Sequence, residues 1–342
     1  MNPSRPTRRR SWLAVPLAAC LLYSGSLPDL YAQTQSPTAG PSQPEALPKV
    51  IRLIVPFAPG GSTDVIGRML AERLGPALGS TIVVENRPGA GATLGADAVA
   101  KGPADGSMLL VSSTSSIAPV PLMRAKMPYD PVADFAHLAV IGSFANGLLV
   151  RTDSPITSLK DLLDRIRAEP DRVSFASVGI GSSGHMTGEL LQQKAGVRMI
   201  HVPYKGAAQA VVDLIGGRVD LQFESLVSAQ PNLKNGKLRL IAVASPERSR
   251  LFPEVPAIAE LVPGVVGAPW FGLSASARVP APLLARLEQA IVALLRDSDT
   301  RQKLEALGMD PDGSGSAAFL ARIHEENRVW GPIIQTLGIR IQ

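Results

Sequence analysis

The sequence predicts an α/β protein with helices packed on both faces of parallel sheets. Three observations predict it. Short apolar runs such as Val50–Val55, Met108–Ser112 and Leu238–Ala244 recur along the chain. Between them lie helical spacings: Val65, Ile66, Met69, Leu70, Leu74 and Leu78 place apolar side chains on one face of a helix over Asp64–Leu78. Strands that alternate with helices in this way favour parallel sheets covered on both sides. The length, 342 residues, suggests two domains at about 150 residues each, enough for a sizeable core. A composition of 45% hydrophobic and 18% charged residues excludes a disordered chain.

Residues 1–32 read as an export signal. Arg8-Arg9-Arg10 closes a basic start, and the apolar stretch Trp12–Leu22 is too short to span a membrane. Leu30-Tyr31-Ala32 offers a small residue for cleavage before Gln33. Arg9-Arg10-Ser11-Trp12-Leu13 loosely matches a twin-arginine signal. Leu17-Ala18-Ala19-Cys20 fits a lipoprotein box, but Leu21 sits poorly after a lipidated cysteine, so cleavage near Ala32 is preferred. Cys20 is the one cysteine; its loss with the signal leaves no disulfide, thiol nucleophile or cysteine metal ligand. Residues 33–48, rich in Pro, Ser and Gln, form a flexible leader.

The remaining strands fall at Thr81–Glu85, Leu138–Ile141, Leu148–Val150, Val173–Ser177, Met199–Val202, Val219–Phe223 and Phe271–Ala275. Helices fall at Leu94–Lys101, Leu159–Ala168, His185–Ala195, Gln209–Ile215, Pro282–Arg296, Thr300–Leu307 and Ala317–Leu337. Ser158-Leu159-Lys160-Asp161 is a capping box. Pro282 near a helix start and Gly308 after Leu307 mark a helical pair.

The net charge of +5 is mostly at the front, where four arginines face Asp29 in residues 1–32. The remainder has no basic run, and aromatics are 4%. Both exclude a nucleic-acid interface. Catalytic signatures such as G-x-S-x-G, the phosphate loop and H-E-x-x-H are absent from the sequence. His324-Glu325 opens a zinc-like string that Arg328 breaks. His137, His201 and His324 read as structural; His185 stands apart because it ends a glycine-rich loop.

Two strand–helix junctions are candidates for chemistry. In Pro56–Asp64, Gly60 and Gly61 let backbone approach a ligand, and Ser62, Thr63 or Asp64 can cap the helix. Free amides at that helix start form an anion site without a cationic side chain, although an ordinary tight turn reads equally well. The second, Ser177–His185, contains Gly179, Gly181 and Gly184, a formal G-x-G-x-x-G. About 20 residues on, where an acid should hold a ribose, lies Val197-Arg198-Met199-Ile200-His201, so a dinucleotide site is disfavoured. Gly89–Gly95 reads better as close backbone packing. Arg218 reads as a solvated charge, and Lys205 stays open between that and a ligand cation.

These residues carry a resemblance. Pro56–Asp64, Val83–Ala90, Tyr129-Asp130-Pro131, Ser177–His185, His201–Gly206, Asp213-Leu214 with Gly216-Gly217, and Trp270–Leu273 occur in an order that resembles the Bug family, the extracytoplasmic receptors of tripartite tricarboxylate transporters. The similarity runs from about Lys49 to Ile339. It implies a periplasmic binding protein fold: two doubly wound lobes around a hinge, with the ligand in the cleft between them. Lobe 1 would comprise 49–145 and 271–342, and lobe 2 residues 146–270.

The resemblance implies capture of a small carboxylate-bearing solute and its delivery to the permease subunits of a tripartite transporter. The alternative is a sensor docking on a kinase. No enzymatic chemistry, cofactor, metal or nucleic acid is expected, and the receptor is expected in the periplasm as a monomer. Ligand contacts are expected from Phe57, Ala58, Gly60, Gly61, Ser62, Thr63 and Asp64 in lobe 1, with Thr114 from the hydroxyl-rich run Ser112–Ser116. Lobe 2 would supply Ser177, Gly179, Gly181, Ser182, Ser183, His185, Tyr204, Lys205 and Glu224. The family often has Asp where this chain has Glu224, one methylene longer, and His where it has Asn232; with the hydroxyl-rich run, the first departure bears on ligand choice.

Overall fold

The computed structural model describes residues 46–341. The expected export signal with its lipoprotein alternative, and nearly all of the leader, lie outside the described residues. Strand β1 (Val50–Val55) shows how the sequence builds the first lobe. Its alternate residues serve two faces. Ile51, Leu53 and Val55 pack with α1 (Ser62–Leu78), while Ile54 joins the opposite layer. Helix α1 buries Ile66, Leu70, Leu74 and Leu78, one per turn, and ends on left-handed Gly79. Strand β2 (Thr81–Asn86), helix α2 (Thr93–Ala100) and strand β3 (Met108–Ser113) follow. Two short helices, α3 (Thr114–Ile117) and α4 (Pro119–Met123), lead to the long strand β4 (Phe135–Phe144).

The chain then passes into a second sheet. Its elements are β5 (Asn146–Arg151), α5 (Leu159–Ala168), β6 (Ser174–Ser177), α6 (Ser183–Ala195), β7 (Ile200–Pro203), α7 (Ala207–Ile215), β8 (Leu221–Ser225), α8 (Leu226–Lys234) and β9 (Leu238–Val243). It returns through β10 (Trp270–Ser276) and finishes with α9 (Ala281–Arg296), α10 (Ser298–Ala306), β11 (Met309–Pro311) and α11 (Ser316–Leu337).

The first sheet has the order β11-β4-β10-β3-β1-β2 and the second β7-β6-β8-β5-β9. Both are doubly wound. Helices α1 and α9 cover one face of the first sheet and α2 the other; α5 and α6 oppose α7 and α8 on the second. The expected parallel pairing holds for β1 with β2 and β3, and for β6 with β7 and β8. It fails at the short edge strand β11, antiparallel to β4, and at two longer strands: β10, antiparallel to both β3 and β4, and β5, antiparallel to β8 and β9. These two longer strands enter their sheets straight from the other lobe, so they run against the strands wound locally.

The lobes are joined by paired crossing segments. The Phe144 N–H donates to Pro269 O at 2.9 Å, and the Ala244 N–H to Asn146 O at 2.8 Å. Helix α11 makes a third link: Phe319 and Ile323 pack beside Trp270, while Trp330 and Ile334 enter the second lobe's core. Ser158 caps α5 through the Asp161 N–H, but the expected box is only half formed, because Asp161 Oδ2 accepts the Thr157 N–H and hydroxyl instead.

Candidate functional site

The cleft lies where both lobes present strand ends and helix starts. Loop 1, between β1 and α1, turns on Gly60, whose φ of +84° is a left-handed conformation disfavoured for other residues. Helix α1 begins after Gly61, which has no side chain to cap its first amides. Asp64, the third residue of that helix, reaches back instead. Its Oδ2 accepts the Gly60 N–H and Arg68 Nε, both at 3.0 Å. Its Oδ1 accepts Asn86 Nδ2 at 2.9 Å, and the same Nδ2 donates to Phe57 O at 3.1 Å. Burial alone would raise the Asp64 pKa; the bonds from Arg68, Gly60 and Asn86 outweigh it and hold the group below the ordinary carboxylate range.

Loop 2, between β6 and α6, is built to the same plan with different chemistry. His185, the third residue of α6, accepts the Gly181 N–H on Nδ1 at 3.1 Å. Burial, with the nearby His201, pushes its pKa down to about 3, so the ring is neutral. His201 lies 4.1 Å away between ring centres, and its Nε2 bonds Ser177 Oγ at 2.7 Å. Ser177 Oγ in turn accepts the Gly179 N–H at 3.2 Å. Ser182 caps α6 by accepting the His185 N–H.

Between these loops lies a cleft of about 570 Å³ of empty space, part of it open to solvent. Phe57, Ala58, Gly61, Ser62 and Thr63 line it from loop 1, and Val178, Ser182, Ser183 and Gly184 from loop 2. Ser113, Thr114 and Ser115 form one wall, and Glu224 with Ser225 another. Phe144, Pro269, Trp270 and Phe271 close it at the crossing segments. The lobes touch at its rim: a Cβ added to Gly206 would sit 2.9 Å from that of Ala58.

The structure therefore sorts the sequence-predicted residues. Phe57, Ala58, Gly61, Ser62, Thr63, Thr114, Ser182, Ser183 and Glu224 line the cleft. Gly60, Asp64, Ser177, Gly181 and His185 do not; they hold the two loops in shape. Gly179, Tyr204 and Lys205 line an adjoining opening with Arg124, which meets the cleft at Phe57, Ala58 and Val178. Tyr204 Oη donates to Asp213, which also pairs with Arg218 at the surface. Of the hydroxyl-rich run, Ser112 points away and bonds Ser274 Oγ at 2.7 Å. Gly95 packs against Pro56, as close backbone packing requires.

Asn146 is a site residue that the sequence reading missed. It is fully buried, donates to Thr187 Oγ1 at 3.0 Å, and accepts Ser183 Oγ at 3.3 Å. A polar residue opening an otherwise apolar strand was the available signal.

Residues 66–339 match the family described as the tripartite tricarboxylate transporter family receptor. The chain belongs to that family. Among its relatives, protein BugT of Bordetella pertussis is 34% identical over 307 residues, 89% of this chain and 94% of BugT. The structure of Rpa4515 of R. palustris with adipate superposes with a TM-score of 0.82 at 34% identity, covering 85% of this chain and 98% of that one. MatC of Rhodopseudomonas palustris with bound malate gives 0.78 at 30% identity, with 83% and 98% covered. The expected Bug-type receptor and its two-lobed periplasmic binding protein fold are thus found. As a member of this receptor family, the chain is a solute-binding protein. Among the described residues, no helix is long and apolar enough to cross a membrane, and no cluster of metal-ligating side chains occurs.

Proposed function

We propose that the protein captures a small carboxylate in the periplasm, after export through its N-terminal signal, and delivers it to the membrane subunits of a tripartite transporter. The observation that carries this reading is the cleft itself. Two helix starts, those of α1 and α6, line it from opposite lobes, and among the described residues no lysine, arginine or histidine does. First-turn amides that no cap engages, with a helix dipole behind them, attract an anion without a cationic side chain. Each charge-assisted bond contributes about 1.5–3 kcal/mol, so a few suffice for the roughly 8 kcal/mol of micromolar binding. A solute touching both lobes stabilises their closed arrangement by its differential affinity. Adipate in Rpa4515 and malate in MatC support the carboxylate assignment.

The test is a thermal-shift panel of short carboxylic acids, amino acids included, each paired with its primary amide. A matching acid at a hundred times its Kd stabilises by about 2.7 kcal/mol and raises the melting temperature; its amide does not. A panel in which no acid outperforms its amide overturns the reading.

A further inference from the structure

Resting on the carboxylate reading, we propose that the cleft selects a net-neutral solute, with its carboxylate on the amides of the two loops and a protonated amine against Glu224. The cleft continues into a rear chamber through shared walls at Thr114, Ser115, Asn146, Ser183 and Pro269. Among the described residues, every ionisable side chain lining the two chambers is acidic: Glu224 in front, Glu325 and Glu326 behind.

The rear pair is already engaged. Glu326 accepts the indole N–H groups of Trp270 and Trp330, at 3.1 and 2.8 Å, and Glu325 pairs with Arg328 at 2.6 Å. Glu224 differs. It is 5% exposed, and its three donors are all neutral. Gln222 Nε2 reaches its Oε2 at 2.9 Å; the Ser225 N–H and Ser228 Oγ reach its Oε1 at 3.0 and 2.6 Å. A carboxylate offers about four acceptor positions, so one remains on Oε2. A buried carboxylate without a counter-charge is costly, and neutral donors offset only part of that cost. Burial accordingly raises the Glu224 pKa against the pull of those donors. Lys205 and Arg124 line an adjoining opening that meets the cleft at Phe57, Ala58 and Val178, and neither lines the two chambers.

A second carboxylate that enters either chamber would find no cationic side chain lining it and, in front, would face Glu224. An ammonium group would supply the counter-charge that Glu224 lacks. This separates the protein's solute from dicarboxylates of the adipate and malate kind.

The test uses matched sets of equal carbon number, titrated calorimetrically into the purified protein: succinate, butyrate, 2-aminobutyrate and 4-aminobutyrate, then adipate, hexanoate, 2-aminohexanoate and 6-aminohexanoate. In at least one set, an amino acid is expected to bind about tenfold or more tighter than both the plain acid and the diacid. Glu224→Gln is expected to erase that margin. This variant keeps the side-chain shape, and the Gln222 amide can turn its unpartnered Oε1 toward the new NH2. The wild-type ranking stands as a test even if the variant folds poorly. A diacid that binds as tightly as its matched amino acids, or a preference unchanged in Glu224→Gln, overturns the proposal and leaves the carboxylate reading intact. Failure of every acid in both sets overturns the carboxylate reading itself.

Discussion

Loops 1 and 2 solve one geometric problem with opposite chemistry. Each must hold a glycine-containing turn rigid while leaving the first amides of a helix open to a ligand. In each, the third helical residue accepts the N–H four positions back: Asp64 from Gly60, His185 from Gly181. Asp64 can be an acid because Arg68, whose side chain is 53% exposed, neutralises it from the solvent side. His185 has no cation beside it: Glu189 Oε1 lies 3.6 Å from its Nε2 and the His201 ring packs against it in the interior, so a neutral imidazole serves. The comparison teaches that the job requires an acceptor at that position, and that access to water decides whether it carries charge. In both cases no uncompensated negative charge is placed beside the open amides.

The largest expected effect comes from removing the ionic brace. Asp64→Ala leaves the Gly60 N–H, Asn86 and Arg68 without their acceptor. It is expected to cost about 2–3 kcal/mol in urea denaturation and to weaken solute binding more than tenfold. If the variant keeps its stability, the brace is decorative and the parallel between the loops breaks.

Next is the response to acid. His185 is pushed down to about 3 by burial and the adjacent His201, and His201 to about 4 by burial. A histidine kept neutral in the folded state but free to protonate when unfolded contributes fully above about pH 6.5. That contribution is lost as pH falls from there toward the folded value. For His185 alone the loss reaches about 2 kcal/mol by pH 5. The Asp64 pKa is depressed instead, so its contribution persists through this window and fades only below the ordinary carboxylate range. The melting temperature should therefore fall from pH 7 to pH 5 in wild type and fall less in His185→Asn, where His201 and His137 still titrate. Equal drops in both proteins would assign the acid sensitivity to His201 and His137 instead.

Gly60→Val follows, at about 1–2 kcal/mol. The added Cβ meets no atom within 4 Å, so the expected cost is backbone strain at a φ of +84°. Calorimetry should show lost affinity with the fold retained. Unchanged affinity would mean that loop 1 binds nothing.

Much of this plan was legible before the structure. Apolar runs and helical spacings located β1, α1, α5 and their successors, and glycine spacing located both loops. Three things were not. Helix α8 starts directly after β8 with no turn residues and carries Pro231, so its sequence hides it. The run Ser112–Ser116 reads as a loop, although Ser113 caps a short helix within it. Strand direction at β5 and β10 is set by which lobe the chain comes from, a tertiary fact with no local signal. At the site, residue type was legible and orientation was not. Asp64 and His185 belong to the loops' internal bonding, while Glu224 faces a cleft that offers it no cation.

The smallest predicted effect tests which part of loop 2 holds it in place. Ser182 Oγ accepts the His185 N–H at 3.4 Å, a long bond, whereas Gly181 meets the imidazole at 3.1 Å. Loop 1 has no side-chain cap at all, since Gly61 occupies that position. Ser182→Gly makes the start of α6 resemble that of α1 and is expected to cost only a few tenths of a kcal/mol. Its effect on affinity should stay below that of Asp64→Ala, because the imidazole still accepts the Gly181 N–H. A loss above about 1 kcal/mol, at the upper half of the range for a lost cap, would shift the weight of the loop from His185 to Ser182. The two loops would then be held by different parts of their helix starts, and their shared spacing would no longer imply a shared device.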